Sequence, residues 1–354
     1  MWQTRLTEQI GLKFPLIQAP MAGGPTTPEL VAAVCNAGGL GSLGAGYMNP
    51  PEIREALRKI RELTNKPFAV NLFIPGNHHA TRAQIEKSCN DIAQSCTELN
   101  IEIEPLTGPY APSFEEQINV LIEEKIPVFS YVFGLLDSKW ISQFKKNDTF
   151  LIGTATTLTE AWILAESGID ALVAQGSEAG GHRGTFIGND EDGLIGLFSL
   201  VPQLRDQIKI PIIAAGGIMD GRGVVAALDL GAEGIQMGTA FLSCLEAGIP
   251  DSYQHTLLAQ KQDNTVLTRA FSGKLARGIR NQFTERMDRR KNNILDYPIQ
   301  NALTSMMRKK AKEKNNSDFM SMWAGQSAQL CRNIHAGELI SALVREAEAL
   351  NSRS

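Results

Sequence analysis

The chain has 354 residues, 43% hydrophobic and 20% charged, with 32 glycines and a formal net charge of -4. This balance excludes a disordered or collagen-like polymer and offers nucleic acid no obvious hold, while the length lets one large domain or two bury about 75% of the surface exposed on unfolding. Residues 1–15 carry Arg5, Glu8 and Lys13 without a signal-like apolar run, and no segment approaches the ~20 apolar residues of a membrane span, so a cytoplasmic protein with no membrane partner is expected.

Short apolar runs bounded by glycine or proline recur at 14–19, 39–43, 67–73, 126–133, 150–153, 170–175, 210–215 and 234–237. Segments with helical spacing separate most of them, such as 28–37, 51–63, 159–167 and 221–230. Runs buried on both faces with helices between them indicate parallel strands, and eight such βα units predict an α/β fold of the TIM (β/α)8 barrel type. The rhythm breaks at 74–125, far longer than one crossover helix needs, and again past Leu242, where helical pattern continues without strand signals. The expected organisation is a barrel from 1–75, 113–243 and 325–354, with 76–112 and 244–324 forming a second, mostly helical substrate or lid domain. Barrel chemistry sits at the C-terminal strand ends, where such a unit would lie.

The strand ends carry the chemical signals. The first strand runs into Gln18-Ala19-Pro20-Met21-Ala22-Gly23-Gly24, where proline removes a donor and glycine lets main chain approach a flat ligand. The third ends Val70-Asn71-Leu72, placing an amide able to read the edge of a heteroaromatic ring. The seventh reaches Gly216-Gly217 before a helix from about Asp220, and the eighth Gln236-Met237-Gly238-Thr239. Bare glycine N–H groups after strands 7 and 8, beside a helix N-terminus, form an anion site at the usual phosphate position of barrels. A phosphate cradle, a ring-reading asparagine and open backbone at strand 1 together suggest flavin mononucleotide (FMN), whereas the absence of GxGxxG after a first strand gives a Rossmann site no support.

The segments "QAPMAGGPTTPELVAAVCNAGGLGSLGAGY", "GSEAGGHRG", "AAGGIMDGRGVVAALDLGAEGIQMGTAFL" and "FSGKLARGIRNQF" resemble, in order and over most of the chain, the motifs of the class I nitronate monooxygenases, formerly 2-nitropropane dioxygenases. The resemblance implies an FMN-bearing barrel that oxidises alkyl nitronates, typically propionate 3-nitronate, with O₂ to a carbonyl compound and nitrite. It further implies that FMN is held by Asn71, Gln175, Gly180, with Gly181 beside it, Gly217 next to Gly216, and Gln236, Met237, Gly238 and Thr239, with the backbone of Ala19, Pro20 and Met21 against the isoalloxazine. The histidine of its GGH motif is His182.

Histidine titrates near neutrality, so His182 as the free base takes the α-proton of a neutral nitroalkane, whereas for an anionic nitronate it positions the nitro oxygens. Tyr110 and Tyr297 fall in the two inserted stretches, either reaching over the strand ends toward an anionic substrate or packing as half-buried tyrosines; Tyr131 ends the fourth strand. Glu178 and Arg183 flank the histidine and either orient it or pair with each other. The basic stretch Arg308 to Lys314 reads as a solvated helix face, since no aromatic residues interleave with it. Five cysteines form no CxxC pair, so neither a metal site nor a disulfide framework is indicated. The competing reading is an NAD(P)H-dependent FMN reductase of the enoyl or quinone type on the same scaffold; the oligomeric state is open, a homodimer included.

Overall fold

A computed structural model describes residues 1–76 and 78–352. Among them the chain forms β1 (Leu16–Gln18), β2 (Ser42–Gly44), β3 (Ala69–Phe73), β4 (Val128–Val132), β5 (Phe150–Ala155), β6 (Ala171–Gln175), β7 (Gly181–His182), β8 (Ile212–Ala215), β9 (Gly234–Met237), β10 (Thr265–Thr268) and β11 (Ala276–Ile279). Eight of these, in the order β1-β9-β8-β6-β5-β4-β3-β2, form one parallel sheet. A parallel bridge between Ile17 and Leu40 closes it, with Leu40 N donating to Leu16 O and Gln18 N to Leu40 O, both at 2.9 Å. This is the TIM barrel that the eight apolar runs predicted; six runs contain their strands, and β2 and β5 extend past theirs by one and two residues.

Strand alternation separates two buried layers. Ile17, Ala69, Val128, Ile152, Val173 and Ile213 fill the barrel interior together with Leu6 and Leu40, while Phe129, Tyr131, Leu151, Leu172 and Ile212 point outward to the helices. The helices begin where local chemistry allows. Thr27 caps Pro28–Asn36 through Leu30 N, and Asn49 with Glu52 forms a capping box on Pro50–Leu63, both helices opening with proline. The last barrel helix, Ala336–Asn351, packs between Gly221–Asp229 and Pro28–Asn36. Its approach requires Gly221, where a Cβ would sit 2.4 Å from that of Glu346.

The two long excursions meet. Ile85, Cys89, Ile92 and Cys96 of the helix Arg82–Glu98 share a buried cluster with Phe271, Phe283, Met287, Ile299, Leu303 and Met307. Polar ties reinforce the contact: Ser88 Oγ donates to Gln300 Oε1 at 2.9 Å and Arg286 Nη1 to Ser95 Oγ at 2.7 Å. One feature differs from the sequence expectation. The stretch past Leu242 contains the antiparallel hairpin β10–β11, and β11 pairs in turn with β7, Ala276 opposite His182. Neither hairpin strand alternates: β10 is half-buried throughout, and β11 is buried at all four positions while including Arg277 and Gly278, so the period-2 signal is missing.

Candidate active site

At the C-terminal ends of the barrel strands the structure opens into one cavity. Ala19, Pro20, Met21, Asn71, Gln175, Gly180, Gly181, Gly216, Gly217 and Gln236 through Thr239 all line it, together with His182. The inserted unit contributes the opposite wall with Tyr253, Asn301, Arg308, Lys312 and Trp323. Among the described residues, no lining side chain is acidic. A cavity whose charged groups are cationic favours anions.

Gly216 and Gly217 adopt φ of +135° and +69°, conformations that side chains rarely take. The N–H groups of Gly217 and Thr239 find no acceptor among the described residues, so they are free for a ligand. The neighbouring helix terminus is not, contrary to the expectation that it would complete the anion site. Asp220 caps Gly221–Asp229 by accepting from Arg222 N at 3.0 Å and Gly223 N at 3.4 Å. Its carboxylate already occupies the place an anion would take.

Asn71 donates from Nδ2 to Ser130 Oγ at 2.9 Å, leaving Oδ1 without a partner among the described residues. That open acceptor suits a ring N–H. Near β1, Met21 O is engaged by Thr26, whose Oγ1 donates to it at 3.0 Å, while Gly44 of β2 lets the loop lie close, a Cβ there falling 2.5 Å from Ala22 N. Gln175, expected among the FMN-holding residues, lines the cavity with its amide already engaged by protein. Its Nε2 donates to His182 O at 2.9 Å and its Oε1 accepts from Gly184 N at 2.7 Å. It pins the histidine loop from both ends.

The GGH loop is built by close approach. Gly180 lies against the backbone of Ala324 and Gly325, where a Cβ would come within 2.5 Å of both, and Gly181 takes φ of +78°. His182 then points into the cavity within an aromatic wall, its ring 5.2 Å from Trp323, 5.8 Å from Phe133 and 6.4 Å from Tyr297. Nε2 bonds Ser272 Oγ at 2.8 Å. Burial, then the charges of Lys274 and Arg308, push the imidazole down to about 3, against a weaker opposing effect of Asp190. The ring is therefore neutral at pH 7.

The flanking pair serves structure. Glu178 accepts from Leu197 N at 2.9 Å, tying down the start of Leu197–Gln207. Arg183 is fully buried and donates to Gly176 O, Gln175 O and Gly193 O at 2.7, 2.8 and 2.9 Å, holding the turn that follows β6. The three tyrosines separate. Tyr297 packs behind the lining, its ring 6.4 Å from that of His182 and 5.8 Å from Phe133, without lining the cavity itself. Tyr131 faces the helix layer, because on β4 Ser130 and Val132 take the inward positions, and it does not line the cavity. Tyr110 donates to Leu106 O at 3.3 Å within its own loop and lies outside the cavity lining.

Other site residues gave little signal. Arg308 and Lys312 were expected on a solvated face; instead Arg308 turns inward from the helix Ser305–Glu313, while Lys312, still exposed, stands at the cavity rim. Arg308 donates to Asn301 Oδ1 at 2.8 Å and to Thr304 Oγ1 at 3.1 Å, and Lys312 to Gly23 O at 2.9 Å. Their i,i+4 spacing, on the same side as buried Met307 and Ala311, is the clue that charge counting hides. Tyr253 and Trp323 carried no sequence pattern of their own, and Tyr47 and Ser272 lie inside segments quoted above without having been singled out.

Comparison with known proteins agrees with this geometry. A family model described as nitronate monooxygenase matches residues 3–346. A probable nitronate monooxygenase of Staphylococcus saprophyticus is 44% identical over 352 residues, covering 99% of each chain. Among solved structures, a nitroalkane oxidase from Streptomyces ansochromogenes superposes with a TM-score of 0.91 at 38% identity over 99% of both chains. FabK from Thermotoga maritima follows at 0.78 and 30%, covering 100% of this chain and 98% of its own.

Proposed function

The chain belongs to the nitronate monooxygenase family and is an oxidoreductase acting on nitronates, and we propose that it oxidises alkyl nitronates, propionate 3-nitronate among them, with O₂ to a carbonyl compound and nitrite, using FMN held at the barrel mouth. The observation that carries this reading is a cavity free, among the described residues, of carboxylates, which combines unpaired backbone N–H groups with a neutral histidine.

The residues present fit FMN. Gly217 and Thr239 would take the phosphate through main-chain N–H groups beside Gly216, Asn71 Oδ1 would accept from the ring edge, and the main chain at Ala19, Pro20 and Met21 would lie against the isoalloxazine. Gly180, Gly181, Gln236, Met237 and Gly238 complete the surround. When bound, FMN supplies the electron transfer that opens the reaction with O₂.

The protein's own groups handle charge and protons. Arg308 and Lys312 draw an anionic nitronate into the cavity, and the aromatic wall of Phe133 and Trp323 keeps water from the reacting carbon. On a neutral nitroalkane His182 takes the α-proton. The imidazolium so formed stands beside the nitronate it generates, which offsets the cost that burial places on its charge. We assign the substrate side to the unit formed by 76–112 and 244–324, over the barrel of 1–75, 113–243 and 325–354.

Nitrite release from propionate 3-nitronate in air, measured beside anaerobic mixing with NADH and NADPH, tests the assignment. Nitrite without flavin bleaching is expected. Rapid bleaching by either nucleotide, without nitrite, would make the protein a reductase.

A further inference from the structure

Ser272 lies in the turn before β11, fully buried at 1% exposure, with its hydroxyl on His182. Its hydrogen bonding is complete. Oγ donates to Lys274 O at 3.2 Å and accepts from Lys274 N at 3.3 Å, and the remaining contact is His182 Nε2 at 2.8 Å. A hydroxyl has one hydrogen to give and two lone pairs to offer. The one arrangement that serves all three contacts at once gives the hydroxyl hydrogen to the Lys274 carbonyl and the second lone pair to Nε2–H. Turning the imidazole by 180° about Cβ–Cγ would bring a carbon to Ser272 and lose the bond. Nδ1 has no partner among the described residues, and it belongs to a ring that lines the cavity.

We propose that Ser272 is a positioning residue that fixes His182 as the Nε2–H tautomer and so leaves Nδ1 as the bare nitrogen that meets the substrate. The proposal deepens the functional reading above and rests on it. During proton transfer the α-C–H bond of a neutral nitroalkane breaks, its proton moves to Nδ1, and its electron pair becomes the C=N bond of the nitronate, with the negative charge on the nitro oxygens. No oxidant enters this step. Nε2–H stays on Ser272 throughout, so the hydroxyl stabilises the imidazolium as it forms, the role of the third group in a nucleophile–base–orienter arrangement. Lys274 is thereby a second link: its backbone holds the serine while its side chain pairs with Asp190 at 3.1 Å.

Two measurements on the FMN-loaded enzyme decide the matter. The first is the ¹⁵N spectrum of wild-type protein labelled at histidine, with the His182 signals assigned by difference from His182→Asn. A neutral ring protonated at Nε2 is expected; protonation at Nδ1 overturns the proposal whether or not any variant folds. The second compares Ser272→Ala with Ser272→Thr on nitroethane and on pre-formed ethyl nitronate. The alanine variant should lose about tenfold more kcat/KM on nitroethane than on the nitronate, the scale of one hydrogen bond, and threonine, which restores the hydroxyl, should recover most of it. Equal losses on both substrates, or no recovery with threonine, would remove the positioning role. Absence of nitrite from either substrate in wild type would instead defeat the functional reading, leaving the ¹⁵N assignment to judge Ser272.

Discussion

Gln175 and His182 are joined across the mouth of the barrel: the amide at the end of β6 donates to the carbonyl of the histidine seven residues later at 2.9 Å, and accepts from Gly184 N at 2.7 Å. The pair makes the orientation of the imidazole a property of the barrel rather than of a free loop. Gln175→Leu leaves a carbonyl and an N–H unpaired in a largely buried setting, at a cost of about 1–3 kcal/mol. A lowered melting temperature together with reduced kcat is expected. Unchanged turnover in a destabilised protein would show that the loop keeps its geometry without this clamp.

Gly180 and Gly181 should respond differently to alanine. At Gly180 the new Cβ meets backbone atoms of Ala324 and Gly325 at 2.5 Å, whereas at Gly181 it meets open space and the strain comes from φ of +78°. Overpacking against main chain costs about 1–3 kcal/mol and separates the barrel from its cover, while the left-handed conformation costs about 1–2 kcal/mol locally. Gly180→Ala is expected to lose bound flavin as well as stability, and Gly181→Ala mainly stability. Flavin content and thermal unfolding of the two proteins would reveal the difference, and equal flavin retention would contradict it.

The neutral state of His182 has consequences for pH. In the folded chain its imidazole is pushed down to about 3 from an ordinary 6.5, so between these values the unfolded chain binds a proton that the folded one does not. Stability from this group is therefore complete above about 6.5 and declines as pH falls toward 3. Across pH 5 to 8 the profile of kcat/KM for a neutral nitroalkane should lack an acid limb from His182. An acid limb near 6.5 that disappears in His182→Asn would refute the assignment of a neutral ring.

Arg308 is expected to act on charge. It is held by Asn301 and Thr304 and is the one arginine on a cavity wall without carboxylates, among the described residues. Arg308→Leu should raise KM for propionate 3-nitronate about tenfold or more, the worth of a hydrogen bond to a charged group, while affecting a neutral nitroalkane less. Steady-state kinetics on both substrates measures this directly, and a similar rise for both would assign the side chain to packing.

Much of this could be read from the sequence, for reasons that differ by element. The barrel strands are buried on both faces and each is bounded by glycine or proline, so their apolar runs stood out, as did Gly216-Gly217 and Gln236 to Thr239 at two successive strand ends. Asn71 was visible as a polar residue inside an apolar run, and His182 through the GGH motif that follows another. Tyr131 was misplaced since the inward or outward sense of a strand residue depends on register, which shifts by a face with each residue. Arg308 was hidden in a basic run read as one solvated face, and the role of Ser272, inside the quoted FSGKL segment, shows only through a contact 90 residues distant in sequence. Asp220 shows the same limit, because a glycine-rich strand end before a helix looks like an anion site whether or not the cap is already filled.

The most direct test is a crystal structure of the protein as purified. The account predicts an isoalloxazine at the barrel mouth, its phosphate within hydrogen-bond distance of the N–H groups of Gly217 and Thr239 and its reactive edge facing His182. A phosphate bound elsewhere, or a flavin whose reactive edge lies away from the imidazole, would contradict it.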